Sequence, residues 1–210
     1  MTGTFTYDAL NGTITVLAND IGGVAFDRRL FLDSNHDFTL PVSALVRDTA
    51  IIGGVPDFKK IGPMCRQHPG DFACQLLAKS ESPAAAPASV AVIDLRIKAA
   101  VVAAPALGFT FSPDGLKNVK VPVQLWRAEN DVIVPHPRYA EAVRLALPRA
   151  PDYHVVPNAG HYDFLAPCSD ALASLASAIC TSSAGFDRAA FHVGFDSEVV
   201  KFFEKTLKNH

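Results

Sequence analysis

The hydrophobic pattern along the chain changes character near its middle. Residues Gly12 to Ala18 alternate Thr, Ile, Thr, Val and Leu, which predicts a strand, and they run into Asn19-Asp20-Ile21-Gly22-Gly23, which is turn chemistry. Arg28 to His36 reads as irregular. Leu40 to Thr49 and Phe58 to Met64 are weakly helical, joined through Gly53-Gly54-Val55-Pro56. Asp71 to Ser80 reads as a short amphipathic helix with Phe72, Leu76 and Leu77 on one side, and the Ala/Pro/Ser-rich stretch from Ser80 to Ser89 as a loop.

Two continuous apolar runs then appear, Ile97 to Ala103 and Val121 to Trp126, the pattern of strands buried on both faces. Tyr139, Ala142, Val143, Leu145 and Ala146 predict a helix between Pro137 and Leu147, with Pro135 and Pro137 near its start. Asp152 to Val156 is a further short strand, Leu172 to Ile179 is helical, and Val199 to Leu207 forms a closing amphipathic helix. Strand, helix, strand, helix is the order of a parallel sheet covered on both faces, so we expect an α/β fold with a mostly parallel sheet. No repeat and no clear boundary interrupts the chain, which is therefore read as one domain over residues 1–210, its first third (1–56) the least defined.

Composition narrows the function. The 210 residues are 49% hydrophobic and 19% charged, which excludes a disordered chain and allows roughly 70% of the unfolded surface to be buried. A net charge of −2 and the lack of any Lys/Arg cluster leave no field to neutralise phosphates, so nucleic acid is not an expected partner. The longest apolar stretch, Ala99 to Phe111, is too short to span a bilayer and is broken by Pro105 and Gly108. Met1 to Asn11 shows no basic segment followed by an apolar one, so no secretory leader is read there.

The four cysteines form two close pairs, Cys65 with Cys74 and Cys168 with Cys180. None makes a C-x-x-C, and the spacing does not suit zinc. Two local disulfides fit better, and four buried thiols of a cytosolic protein are the alternative. Bridged pairs imply an oxidising compartment, periplasmic or secreted. With no leader visible, the chain is then expected to be incomplete at its N-terminus.

Open parallel sheets carry their reactive groups on loops at the carboxyl ends of strands. Two such loops stand out: Arg127-Ala128-Glu129-Asn130-Asp131-Val132-Ile133-Val134-Pro135 and Pro157-Asn158-Ala159-Gly160-His161-Tyr162-Asp163-Phe164. Asp131 and His161 are one strand-helix-strand step apart, which places them on adjacent loops at the same sheet edge. A carboxylate there holds one imidazole nitrogen as N–H and leaves the other to act as a base. This is the acid and base half of a nucleophilic triad, in the chain order of α/β-hydrolases. Gly160 allows close backbone approach before the histidine, and Ala159 avoids a clash. Tyr162 and Asp163 are read as orienting the loop, Trp126 as core, and His68, His136, His154 and His192 as surface or packing residues without ligand spacing.

From Arg96 to Leu207 the sequence resembles the C-terminal half of an α/β-hydrolase of the dienelactone hydrolase group, related to platelet-activating factor acetylhydrolases. The cues are Ile97-Lys98-Ala99-Ala100-Val101 running to Ala104-Pro105, Val121-Pro122-Val123, Glu129-Asn130-Asp131, Ala159-Gly160-His161-Tyr162-Asp163-Phe164-Leu165 and Phe186-Asp187-Arg188. Gly54-Val55-Pro56-Asp57 through Cys65, and His68-Pro69-Gly70-Asp71 to Cys74, extend the likeness to about two thirds of the chain. The resemblance implies an α/β-hydrolase fold, ester or lactone hydrolysis through an acyl-enzyme, no metal or organic cofactor, and export, in agreement with bridged cysteines.

The sequence departs from this family at the nucleophile. No G-x-S-x-G occurs; the nearest serine is Ser43, in Pro41-Val42-Ser43-Ala44-Leu45, where both elbow glycines are replaced. An alternative alignment puts Ser43 in the helix before a deleted elbow. Asn19-Asp20 likewise stand where His-Gly is expected in a His-Gly-x-Gly-Gly oxyanion loop. The expected function is thus serine-type hydrolysis of a small ester or lactone by Ser43, His161 and Asp131, impaired by the missing elbow, so that little or no hydrolysis of p-nitrophenyl acetate is expected. The rival is a non-catalytic binding or structural remnant.

Overall fold

A computed structural model describes residues 4–8, 13–18, 26–32, 38–39, 49, 52–79 and 93–207. They belong to two compact units, Met1–Leu45 and Val46–His210.

In the first unit β1 (Thr4–Asp8), β2 (Thr13–Ala18), β3 (Phe26–Leu32) and β4 (Phe38–Thr39) form an antiparallel sheet in sequential order. Thr4 pairs with Leu17 and Asp8 with Thr13, Thr13 with Phe31 and Ala18 with Phe26. The strand expected over Gly12 to Ala18 is β2. The expectation of an irregular Arg28 to His36 is corrected, since β3 runs to Leu32. Asp27-Arg28-Arg29 hides a strand pattern, but ladder hydrogen bonds come from the backbone, and pairing with β2 overrides side-chain preference. The mostly parallel arrangement expected for the whole chain does not extend to this unit, because its connections are too short for the crossover that parallel neighbours need.

The second unit carries a parallel sheet of β5 (Ala100–Ala103), β6 (Val123–Ala128) and β7 (Asp152–Val156), in the order β5-β6-β7. Ala100 pairs with Val123, and Gln124 with Asp152. Central β6 alternates its side chains between two covered faces. On one, Trp126 and Ala128 join Val156 and Ala159 in a core under Phe186, Phe191 and Phe195. On the other, Leu125 is fully buried, and Arg127 donates to the Tyr153 hydroxyl at 3.0 Å while Arg144 of the following helix lies over the Tyr153 ring. Burying a leucine in this way is worth roughly 1.5–3 kcal/mol. A mixed α/β unit with helices on both faces of the parallel sheet is therefore present.

The helices are α1 (Ile61–Gln67), α2 (Phe72–Lys79), α3 (Pro113–Leu116), α4 (Ala140–Ala146), α5 (Asp170–Leu175), α6 (Ser177–Cys180) and α7 (Arg188–Leu207). Helix α4 links β6 to β7 and buries Ala140, Val143 and Ala146, whereas Leu145, counted with the apolar face in the sequence, points to solvent. The helix expected over Leu172 to Ile179 is broken at Ala176. At Ala176 the backbone leaves the helical region, with φ −138° and ψ 55°, inside the segment closed by the Cys168–Cys180 disulfide. The closing helix begins at Arg188, eleven residues before its expected start. Asp187 caps it by accepting the Ala190 N–H at 2.9 Å, and Phe191, Phe195 and Phe202 keep one stripe toward the core.

Both cysteine pairs are disulfides, Cys65–Cys74 and Cys168–Cys180. Two such bonds fit an oxidising environment outside the cytosol. No helix of the described residues is long and apolar enough to cross a membrane.

Candidate active site

The carboxyl ends of β6 and β7 continue as two loops that hydrogen-bond to one another. The Glu129 N–H donates to the Val156 carbonyl at 3.0 Å and the Asn130 N–H to the Ala159 carbonyl at 2.9 Å. The Glu129 carboxylate accepts the Asn158 N–H at 2.9 Å. Asn158 has φ of 59°, a left-handed conformation that asparagine tolerates better than most side chains. Through these bonds the sequence Glu129-Asn130 fixes the distance between the loops before either reactive residue is reached.

Asp131 follows directly. Its Oδ1 accepts the N–H groups of Ile133 and Val134 at 2.9 and 2.8 Å, an Asx-type turn that locks the carboxylate. Ile133 and Val134 in turn pack with Ala104 and Tyr139. The free oxygen, Oδ2, lies 2.9 Å from Nδ1 of His161. The Asp131 side chain is 3% exposed and that of His161 is 22% exposed. An aspartate that accepts two backbone N–H bonds is an acceptor toward the ring as well, so Nδ1 carries the proton and Nε2 presents its lone pair. No described residue hydrogen-bonds Nε2. Asp131 and His161 thus meet on neighbouring loops above one sheet rim, as their spacing requires.

His161 opens a 3₁₀ turn, His161–Phe164. Asp163, fully buried in that turn, accepts the Gly160 N–H at 2.8 Å and faces Arg188 Nε at 3.4 Å. Burial pushes the Asp163 carboxyl up, but the Gly160 N–H and the hydroxyls of Ser183 and Ser182 outweigh it and hold the group below the usual aspartate range. A Cβ at Gly160 would meet only the Ser183 hydroxyl closely, at 2.7 Å, so the glycine relieves a side-chain contact and not a backbone one. Tyr162 lies edge-on to the His161 ring. Burial, and then the Asp131 charge, raise its phenol above the ordinary value, which keeps it a neutral donor.

Among the described residues, no serine hydroxyl hydrogen-bonds His161. Ser43 and the Asn19 to Gly23 loop lie outside the described residues. Of the other histidines, His154 stacks on Trp126 with ring centroids 4.0 Å apart, and His192 approaches the Asp163 carbonyl with Nε2 at 3.1 Å. Both are packing residues, as their lack of ligand spacing anticipates. The described residues hold no cluster of His, Cys, Asp and Glu able to bind a metal ion.

A cavity of about 450 Å³ opens at the opposite end of the sheet, where β6 and β7 begin, lined by Val119, Leu147, Arg149, Asp152, Phe202 and Lys205 among others. It contains neither Asp131 nor His161, and no chemistry of the pair reaches it. Arg188 and Glu129, which brace the two loops, were not singled out as functional from the sequence; the run Phe186-Asp187-Arg188 stood out only as part of the resemblance. Comparison with protein-family models, with curated proteins and with solved structures gave no match to this chain.

Proposed function

We propose that Asp131 and His161 are the acid and base half of a serine-type ester- or lactone-hydrolysing site in an exported α/β-hydrolase-like protein. The observation that carries this reading is the 2.9 Å contact between Asp131 Oδ2 and His161 Nδ1, which leaves Nε2 without a hydrogen-bond partner among the described residues at the carboxyl edge of a parallel sheet. In the reaction a serine Oγ attacks the ester carbonyl while Nε2 takes its proton. The imidazolium, stabilised by Asp131, then returns that proton to the departing alcohol oxygen. Water repeats the two steps on the acyl-serine and releases the acid.

Fluorophosphonate labelling of the full chain tests the reading. The expected result is slow modification of a serine, with little or no hydrolysis of p-nitrophenyl acetate, and loss of the labelling in His161→Ala. A chain in which no serine is modified overturns it. The reading then passes to a binding or structural remnant of a hydrolase, which the lack of any G-x-S-x-G favours.

A further inference from the structure

We infer that Asp163 and Arg188 are positioning residues for His161, coupling the imidazole's orientation to the segment closed by the Cys168–Cys180 disulfide. The inference rests on the reading of Asp131 and His161 as a working pair. Arg188 is the hub. Besides Asp163, its guanidinium donates to the Ser182 hydroxyl at 3.1 Å and to the carbonyls of Ile179 and Thr181, at 3.1 and 3.3 Å, on either side of Cys180. The side chains of Arg188 and Asp163 are 5% and 1% exposed. Asp163 passes the constraint on: its Oδ2 takes the Gly160 N–H at 2.8 Å and the Ser183 N–H at 3.4 Å. Gly160 immediately precedes His161.

A role in stability alone accounts poorly for this pair. Taking two charges out of water often costs as much as their attraction returns, and apolar replacements of similar volume are frequently as stable. The network does, however, satisfy a donor one residue before the imidazole. The turn that bears His161 has only four residues, and among the described residues the ring has one aromatic neighbour, Tyr162, at 5.3 Å. Backbone placement at Gly160 therefore helps to aim Nδ1 at Asp131. Deviations of an ångström in such supports are enough to lose a productive geometry.

Nitrogen-15 NMR of the imidazole in the full chain tests the inference without recourse to activity, with the His161 signals assigned by their loss in His161→Gln. The intact protein is expected to show neutral His161 mainly as the Nδ1–H tautomer. In Arg188→Lys, which keeps the charge but loses the donor fork, and in Asp163→Asn, the tautomer ratio is expected to fall at least about tenfold, the scale of a lost hydrogen bond to a charged group. Amide signals of β6 should remain in place. Unchanged His161 signals in a folded Arg188→Lys chain overturn the inference and leave the pair a structural clamp; if Asp163→Asn does not fold, Arg188→Lys decides alone. Failure of the underlying reading looks different, because the intact protein would then lack the Nδ1–H preference and Asp131→Asn would not alter it.

Discussion

Arg138 grips Asp71 with both arms of its guanidinium, Nε to Oδ2 at 3.0 Å and Nη2 to Oδ1 at 2.9 Å, across 67 residues of chain. Asp71 lies in the segment closed by the Cys65–Cys74 disulfide, and Arg138 lies on the loop between β6 and α4 that carries Asp131. The neighbouring Tyr139 hydroxyl donates to the same carboxylate at 3.1 Å, and burial, followed by the Asp71 charge, pushes its phenol well above the ordinary range. The side chains of Arg138 and Asp71 are 27% and 11% exposed, so solvent screens part of the attraction. Arg138→Ala is expected to destabilise the second unit by about 1–3 kcal/mol, with Arg138→Lys intermediate. Urea unfolding followed by circular dichroism measures it.

A larger loss is expected at Arg188. Removing the guanidinium strands the buried Asp163 carboxylate and leaves the Ile179 and Thr181 carbonyls without this donor. Arg188→Met should cost about 3–5 kcal/mol, the usual penalty for breaking one side of a buried pair. The double variant Arg188→Met/Asp163→Leu should recover part of it, and failure to recover any would show that the carbonyl contacts dominate.

The depressed Asp163 carboxyl makes stability depend on acid. A carboxyl whose pKa is lowered on folding contributes fully above its unfolded value, about 3.9, and loses that contribution as pH falls through the lower folded value. The intact chain should therefore lose stability below about pH 4 more steeply than Asp163→Asn does. Equal slopes of unfolding free energy against pH for the two chains would contradict the assignment.

Gly108 is a test of packing alone. A Cβ built there would sit 2.2 Å from the Tyr139 carbonyl oxygen and 2.6 Å from its carbon, and backbone cannot rotate away as a hydroxyl can. Gly108→Ala should destabilise by about 1–3 kcal/mol through displacement of the chain at Tyr139. Gly185→Ala separates two effects at another position. No atom would lie within 4 Å of its Cβ, but its φ is 75°, so any loss there reports backbone strain without crowding.

The disulfides carry a separate prediction. The Cys65–Cys74 and Cys168–Cys180 loops, with sequence separations of 9 and 12, each restrict the unfolded chain by about 2.5–3 kcal/mol in the chain-entropy picture. Cys168→Ser/Cys180→Ser should lower the midpoint of thermal unfolding by several degrees. A reductant should do the same to the intact chain and have no further effect through that bond in the double variant.

The sequence was most legible where side-chain periodicity and backbone pairing agree. Asp152 to Val156 is a strand with the expected limits, and the run Val121 to Trp126 is displaced by two residues to Val123–Ala128. The approach of Asp131 to His161 followed from spacing alone, because consecutive parallel strands place their carboxyl ends side by side. What spacing did not reveal was how the loops are held. Arg188 acts through contacts to residues 163, 179, 181 and 182, and no local pattern encodes a guanidinium that gathers them. The break at Ala176 was hidden for a related reason: residues 172 to 179 carry helix-forming side chains, and no local pattern marks the non-helical backbone at Ala176. In β3 the charged triplet Asp27-Arg28-Arg29 obscured a strand that is defined by its neighbour.

The single tryptophan of the chain, Trp126, sits in the central parallel strand, buried, its indole N–H held by Gln124 and one ring face covered by His154. Ultraviolet light absorbed by that indole is re-emitted from one known place, a buried site between Gln124, His154 and Phe195. The colour of the emitted light therefore reports the opening of the β5-β6-β7 layer as a red shift, and the four antiparallel strands ahead of it contribute no indole signal of their own.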